Sequence, residues 1–285
     1  MKRALCSGNS FLYYGGLVEN RDRVTPLSDA GFVYRLCRAA GMDMQVVNLA
    51  HGNHNLYVFA GTCREDPTHG DHLAELADAA AFDYVFLSES GSRDPRAAEV
   101  GTTAENYLRL RRRLTDAGCT GRVFFLVHNY FYPHGSASGK NWGEHIRAVA
   151  DGIHAAHPED GVIDWGRLID GLVAGKIIPP GHDPSVRYGL YSFVVHQSAK
   201  DGYHPNMLTG YLSALMVLHA ALDVPVTELD APVWQAVHPN DMPSPEAYAA
   251  RYCTLPGDGT SFTDIFGNSR ALRALRALVD QTPNG

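Results

Sequence analysis

Short apolar runs alternate with longer segments of helical periodicity along most of the chain. Strands are predicted where β-branched and aromatic residues cluster, at residues 3–6, 44–49, 83–87, 122–128 and 162–163. Helices are predicted where apolar residues recur every three or four positions, at residues 27–41, 72–81, 103–118, 142–156, 165–174, 206–222 and 269–280. Because strands and helices alternate, we predict an α/β fold whose parallel sheet is covered by helices on both faces.

The last 60 residues have a different character, since they mix proline, tryptophan and polar residues and end in one predicted helix. A segment of this length at the end of a chain is more typical of an accessory arm than of a second enzyme domain. We therefore predict one α/β domain over residues 1–225 and a C-terminal helical extension, residues 226–285, that packs on it.

The charge balance disfavours two classes of partner. Acidic residues outnumber basic ones by 31 to 24 in the 285-residue chain, which gives a formal net charge of −7, whereas a nucleic-acid-binding protein usually presents a basic face. The one dense basic cluster, Arg111–Arg113, lies in a helical pattern with leucines and indicates a solvated helix face. No apolar run reaches the ~18 residues that a transmembrane helix needs. We expect neither nucleic acid nor a membrane as a partner.

The amino terminus and the cysteines bear on the compartment. The first apolar stretch stops at Gly8, short of the ~7–15 apolar residues of a secretory signal. The five cysteines are odd in number and scattered, and no C-x-x-C pair occurs, so they indicate reduced thiols rather than a disulfide framework or a zinc site. We expect a cytoplasmic protein that needs no cofactor.

Three turns in the predicted fold carry residues suited to acyl transfer. Ser10 follows the first strand, Gly52 follows the second, and Asp201 and His204 share a turn late in the α/β region. In open parallel sheets, ligands bind beyond the carboxyl ends of the strands. A serine nucleophile needs a base to take its proton, and the base needs a third group to fix its tautomer. Each segment alone is equally typical of an ordinary turn or helix cap.

The order of these residues resembles the SGNH (GDSL-like) hydrolase superfamily. Residues 6–14, CSGNSFLYY, resemble the GNSF variant of its first block. Residues 201–205, DGYHP, followed by the GYL of residues 210–212, resemble the last block of the same branch. The resemblance covers about residues 3–222 and leaves the C-terminal extension outside.

The resemblance implies a fold and a set of roles. The fold is a three-layer, flavodoxin-like sandwich with a central parallel sheet of about five strands. The activity is that of an ester hydrolase in which Ser10 is the nucleophile, His204 the base and Asp201 the group that orients His204. The N–H groups of Ser10 and Gly52 become donors to the oxyanion.

One block of the superfamily is missing. Where a G-x-N-D motif should follow the third strand, the chain reads LSESG over residues 87–91. The side chain of Ser88 or Ser90 could supply the lost oxyanion donor, and so could Asn53 on the loop after the second strand. We favour Ser88, because the missing donor comes from the third strand. Loss of one such donor costs about 2.7–4 kcal/mol of transition-state stabilisation if nothing replaces it.

Two other functions remain open from the sequence. The 14 histidines include pairs with possible ligand spacing, His51 with His54 and His69 with His72 beside Asp71, and a metal-dependent hydrolase would need three or four such ligands to converge. Aromatic residues near the predicted pocket could instead serve a non-catalytic carbohydrate-binding protein; they are Tyr13, Tyr14, Tyr57, Tyr130 and Tyr132. For an esterase, we expect an acetyl or other small acyl ester of a carbohydrate or another polar small molecule as substrate.

Overall fold

The structure, a computed structural model, describes eight stretches of the chain, and every structural statement below concerns these residues. They are residues 1–19, 27–52, 81–89, 100–128, 142–195, 204–229, 244–254 and 257–283. The predicted helix at residues 72–81 lies almost wholly outside them.

Five parallel strands form one sheet: β1 (Lys2–Ser7), β2 (Met44–Asn48), β3 (Tyr84–Ser88), β4 (Arg122–Val127) and β5 (Gly161–Asp164). Their order across the sheet is β2-β1-β3-β4-β5, and each neighbouring pair is parallel. This is the strand order of the flavodoxin-like doubly wound fold. The predicted α/β class with a central parallel sheet is confirmed.

Nine α-helices accompany the strands in the described stretches: α1 (Ser10–Tyr14), α2 (Phe32–Ala39), α3 (Val100–Asp116), α4 (Trp142–Ala156), α5 (Trp165–Val173), α6 (Met207–Leu222), α7 (Pro245–Tyr252), α8 (Phe262–Phe266) and α9 (Ser269–Asp280). The helix predicted over residues 27–41 begins only at Phe32. Its first residues run along the outer edge of β2 instead, where the Ser28 N–H donates to the Val46 carbonyl at 2.9 Å.

The sheet separates two apolar layers. Successive β1 residues point to opposite faces: Ala4 and Cys6 belong to one core cluster and Leu5 to the other, as the two-residue period of a strand requires. Helices α2, α5 and α6 cover the first face, while α3 and α4 cover the second. This is a three-layer arrangement in which strands β1 to β4 are largely buried on both sides and the edge strand β5 is partly buried.

The C-terminal helices join the first of these layers. Buried residues of α7, α8 and α9, such as Tyr248, Phe262 and Leu275, belong to the same core cluster as α6. The Asp280 carboxylate at the end of α9 also accepts hydrogen bonds from the N–H groups of Val226 and Thr227, at 2.8 and 2.9 Å. The predicted division at residue 225 stays a prediction, because residues 230–243 lie outside the described stretches.

Candidate active site

Ser10 lies at the point where the strand order reverses. Strands β1 and β3 are neighbours in the sheet, and the chain leaves β1 through Gly8 and Asn9 before Ser10 opens helix α1. The Asn9 side chain caps this helix by accepting a hydrogen bond from the Phe11 N–H at 3.1 Å. Ligands of doubly wound folds bind at this crevice, so the cap holds a partly exposed hydroxyl at the expected place.

The His204 imidazole meets this hydroxyl, since the distance from Ser10 Oγ to His204 Nε2 is 3.0 Å. A short antiparallel bridge between Val194 and Pro205 holds the backbone at and after the histidine. The Val195 N–H donates to the His204 carbonyl at 2.7 Å, and the Asn206 N–H donates to the Phe193 carbonyl at 3.0 Å. A histidine 194 positions away in sequence is thereby brought within hydrogen-bonding distance of Ser10.

Close packing between α1 and α6 brings the two residues together. A Cβ atom added to Gly210 would overlap the Gly15 carbonyl and lie 2.9 Å from Gly15 Cα. A Cβ on Gly15 would in turn lie 3.1 Å from Gly210 Cα. Because neither residue has a side chain, the backbone that follows Ser10 touches the helix that follows His204.

Aromatic rings enclose the His204 imidazole. Tyr14 stacks on it with ring centroids 4.2 Å apart and an interplanar angle of 20°, and Phe11 lies at 5.3 Å on a tilted plane. The enclosure therefore restricts the rotation of the imidazole.

A second serine–histidine pair lies beneath the first. Ser88 Oγ at the end of β3 is hydrogen-bonded to His128 Nε2, which follows β4. Both side chains are fully buried, and burial lowers the pKa of His128 to about 3. The imidazole is therefore neutral at ordinary pH. His128 is not among the residues predicted from the sequence, although a polar residue directly after an apolar strand can mark a functional position.

The environment of Ser88 limits what its hydroxyl can do. A Cβ on Gly8 would lie 2.9 Å from Ser88 Cβ, so the serine sits directly under the loop that carries Ser10. The Ser88 O–H is free to donate elsewhere only in the tautomer that keeps the His128 proton on Nε2. The role of Ser88 as an oxyanion donor stays a prediction.

Gly52 belongs to a loop that touches the Ser10 loop. The His51 N–H donates to the Gly8 carbonyl at 3.1 Å, and the Asn48 side chain turns the chain by accepting from the Ala50 N–H at 2.8 Å. A Cβ on Gly52 would lie 3.1 Å from the Tyr13 hydroxyl oxygen. The loop after β2 thus lies beside the loop that carries Ser10, whereas the role of Gly52 stays a prediction.

Several predicted site residues lie outside the described stretches. They are the predicted orienting carboxylate Asp201, the alternative oxyanion donors Asn53 and Ser90, the candidate metal ligands His54, His69, Asp71 and His72, and the candidate sugar-binding rings Tyr57, Tyr130 and Tyr132. His51 is described, and its Nδ1 lies 3.1 Å from the Gly52 carbonyl oxygen. Within the described part of the chain, no group of three or more histidine, cysteine or acidic side chains could hold a metal ion.

Comparisons with known proteins identify other proteins that share this fold. No protein-family model and no curated protein sequence matches the chain. Solved structures do match. A DUF4886 family protein from Bacteroides uniformis is 14% identical, covers 99% of this chain and 97% of its own, and has a TM-score of 0.56. A protein from Parabacteroides merdae, classed with the GDSL-like lipases, is 14% identical over 76% of this chain and 94% of its own (TM-score 0.50).

A third similar structure is the acetylxylan esterase Axe2 from Geobacillus stearothermophilus, which is 11% identical over 76% of this chain and 93% of its own (TM-score 0.50). At such low identities these likenesses define the fold. The chain has the three-layer α/β fold of the SGNH (GDSL-like) hydrolases, which confirms the resemblance drawn from the sequence at that level.

No helix in the described stretches is long and apolar enough to cross a membrane.

Proposed function

We propose that this protein is a serine hydrolase of carboxylic esters. The observation that carries the proposal is the 3.0 Å separation between Ser10 Oγ and His204 Nε2 at the switch point of the sheet. Both side chains are partly exposed, whereas the Ser88 and His128 side chains of the second pair are fully buried. Only the first pair is open to a substrate.

The chemistry follows from this pair. Ser10 Oγ attacks the ester carbonyl carbon while its proton passes to His204 Nε2, which gives a tetrahedral oxyanion and an imidazolium. The oxyanion collapses, the C–O bond to the alcohol breaks, and the imidazolium gives its proton to the departing oxygen. Water then attacks the acyl-serine with the same histidine as base, which releases the acid and restores Ser10. Asp201 is assigned to hold His204 Nδ1–H.

The oxyanion needs at least two donors. The Ser10 N–H is available at the first position of α1, since the first N–H groups of a helix have no partner within the helix. The Gly52 N–H is assigned as the second donor, because its loop is hydrogen-bonded to the loop that carries Ser10. The third donor is left between Ser88, whose buried hydroxyl would have to turn from His128 Nε2 towards the substrate, and Asn53.

For the substrate, we propose an acetyl or other small acyl ester of a carbohydrate or a similarly polar small molecule. Tyr13 and Tyr14 are half-buried and lie beside the proposed nucleophile, with Tyr14 stacked on His204 and the Tyr13 hydroxyl facing Gly52. Tyrosine rings combine an apolar face with a polar tip, which suits a sugar ring. The similarity in fold to an acetylxylan esterase supports the same choice.

Two measurements test the proposal. A fluorophosphonate probe should label the protein once, and mass spectrometry should place the adduct on Ser10. Ser10→Ala and His204→Ala should each reduce turnover of 4-nitrophenyl acetate at least 1000-fold, and the double variant should be no slower than either single variant, because the two residues act as a unit. Ser185→Ala, which changes a serine in an exposed turn, is the matched control. Full turnover in Ser10→Ala, or a label on another serine, would refute the assignment.

A further inference from the structure

One buried amide connects helix α6 to the histidine hairpin, by which we mean residues 192–195 and 204–206, joined by the bridge between Val194 and Pro205. The Asn206 Nδ2 group donates to the Ser192 carbonyl at 2.9 Å and lies 3.5 Å from the Val194 carbonyl. Its Oδ1 accepts from the N–H groups of Leu208 and Thr209, at 3.0 and 3.2 Å. Asn206 is fully buried. The Asn206 side chain thus caps α6 with its oxygen and binds the carbonyls of the segment opposite His204 with its nitrogen.

The segment that contains Ser192 is also hydrogen-bonded to the C-terminal part of the chain. Ser192 Oγ donates to the Thr260 carbonyl at 2.7 Å and accepts the Gly189 N–H at 3.1 Å. The Thr260 N–H donates to the Arg187 carbonyl at 2.6 Å, and the Arg187 N–H donates to Thr260 Oγ1 at 2.7 Å. A Cβ on Gly189 would lie 2.6 Å from the Gly259 nitrogen, so the two segments lie in backbone contact.

Asn206 has a further neighbour at the end of helix α7. Burial raises the pKa of the Cys253 thiol to about 12, and the neighbouring Asn206 side chain opposes part of that rise. The thiol is therefore neutral and packs beside the amide. Residues from α7 and from the Thr260 segment both reach the hairpin, one through Asn206 and one through Ser192.

We propose that Asn206 is a positioning residue for His204, and that it works by linking the histidine hairpin, helix α6 and the C-terminal segment around Thr260. The inference rests on the proposed function for its catalytic consequence. Displacement of a catalytic group by about 1 Å can cost about 100-fold in rate. Without the Asn206 Nδ2 bonds, the Ser192 and Val194 carbonyls lose their contact with the first residues of α6, and among the described residues only the bonds from the Asn206 N–H and Thr209 Oγ1 to the Phe193 carbonyl still hold this segment to the helix. The looser attachment lets His204 move from its position 3.0 Å from Ser10.

Two substitutions separate this role from helix capping. Asn206→Ala removes both the cap and the grip on the hairpin. Asn206→Asp keeps an oxygen that accepts from Leu208 and Thr209, since aspartate is an equally good N-cap, but it has no N–H to donate to Ser192. If Asn206 served only as a cap, Asn206→Asp would restore wild-type turnover.

We expect Asn206→Asp to have a kcat on 4-nitrophenyl acetate at least tenfold below wild type, with KM within about twofold and with the thermal midpoint closer to wild type than that of Asn206→Ala. The matched control is Asn268→Asp, at another capping asparagine that accepts from the Ala271 N–H and donates to Asp183 at 3.1 Å. This control should lose stability only and keep its kcat. Wild-type kcat in Asn206→Asp would overturn the proposal.

A second readout does not depend on activity. The Val195 N–H donates to the His204 carbonyl, so its hydrogen exchange reports whether the hairpin is held. Exchange at Val195 should be at least tenfold faster in Asn206→Asp and unchanged in Asn268→Asp. An unchanged rate in Asn206→Asp would overturn the linkage even if the wild type hydrolysed no ester, whereas faster exchange in a protein without esterase activity would remove the proposed function and leave the linkage standing.

Discussion

Gly210→Ala would separate the two halves of the proposed dyad. Alanine in a helix interior is normally favoured over glycine by about 0.5–1 kcal/mol. At this position the new methyl group would overlap the Gly15 carbonyl, and α1 and α6 would have to part by an amount on the order of 1–2 Å to restore normal contact distances. Since Ser10 is carried by α1 and His204 precedes α6, their hydrogen bond of 3.0 Å would be lost.

The expected cost is large in rate and moderate in stability. A displacement of about 1 Å predicts a fall in kcat of about 100-fold, and overpacking predicts a loss of about 1–3 kcal/mol in the free energy of unfolding. The assay compares ester turnover and urea unfolding of Gly210→Ala with those of Gly152→Ala. Gly152 lies on the exposed face of α4, and nothing stands within 4 Å of an added Cβ. The control should gain stability and keep its activity. Wild-type kcat in Gly210→Ala would refute this reasoning.

Two further predictions concern the buried pair. The pKa of His128 is about 3 in the folded protein and its usual value is 6.5, so the unfolded chain takes up the proton first as the pH falls. The free energy of unfolding is therefore highest above pH 6.5 and decreases towards pH 3, with a loss of about 2 kcal/mol at pH 5. His128→Gln should abolish that part of the pH dependence in urea unfolding, and equal slopes would contradict it. Ser88→Ala should lower kcat about tenfold or more at unchanged KM if its hydroxyl serves the oxyanion; a silent variant would remove Ser88 from that role.

The five strands could be predicted to within one residue at either end because a parallel sheet buried on both faces requires short, continuous apolar runs. Helix starts were less certain. Phe32, Leu36 and Ala40 stand at helical spacing and do fall in the region of the helix, but the residues before Phe32 do not join it, because the Ser28 N–H is bonded to Val46 of β2. Helix α1 spans only five residues, which is too short for a periodic pattern to show.

The residues of the candidate site could be predicted from the sequence, but the contacts that hold them in place could not. The order of Ser10 and His204 along the chain, with the resemblance it carries, was enough to pair them. The contact between Gly15 and Gly210 and the burial of His128 depend on which helices and strands meet in three dimensions. A glycine in an apolar helix carries no local sign of its partner, and a histidine after a strand marks a polar position without showing which residue it will contact.

Helix α6 is buried along most of its length, and part of that cover comes from α9, which the chain reaches only near its end. Synthesis proceeds from the amino terminus, so α6 is made before α7, α8 and α9 and emerges before them. During that interval the sheet and its first helices can assemble, but one apolar side of α6 has nothing to pack on. Exposed apolar surface of this kind promotes aggregation and chaperone binding. The last helices of the chain therefore decide how long a newly made molecule remains at risk.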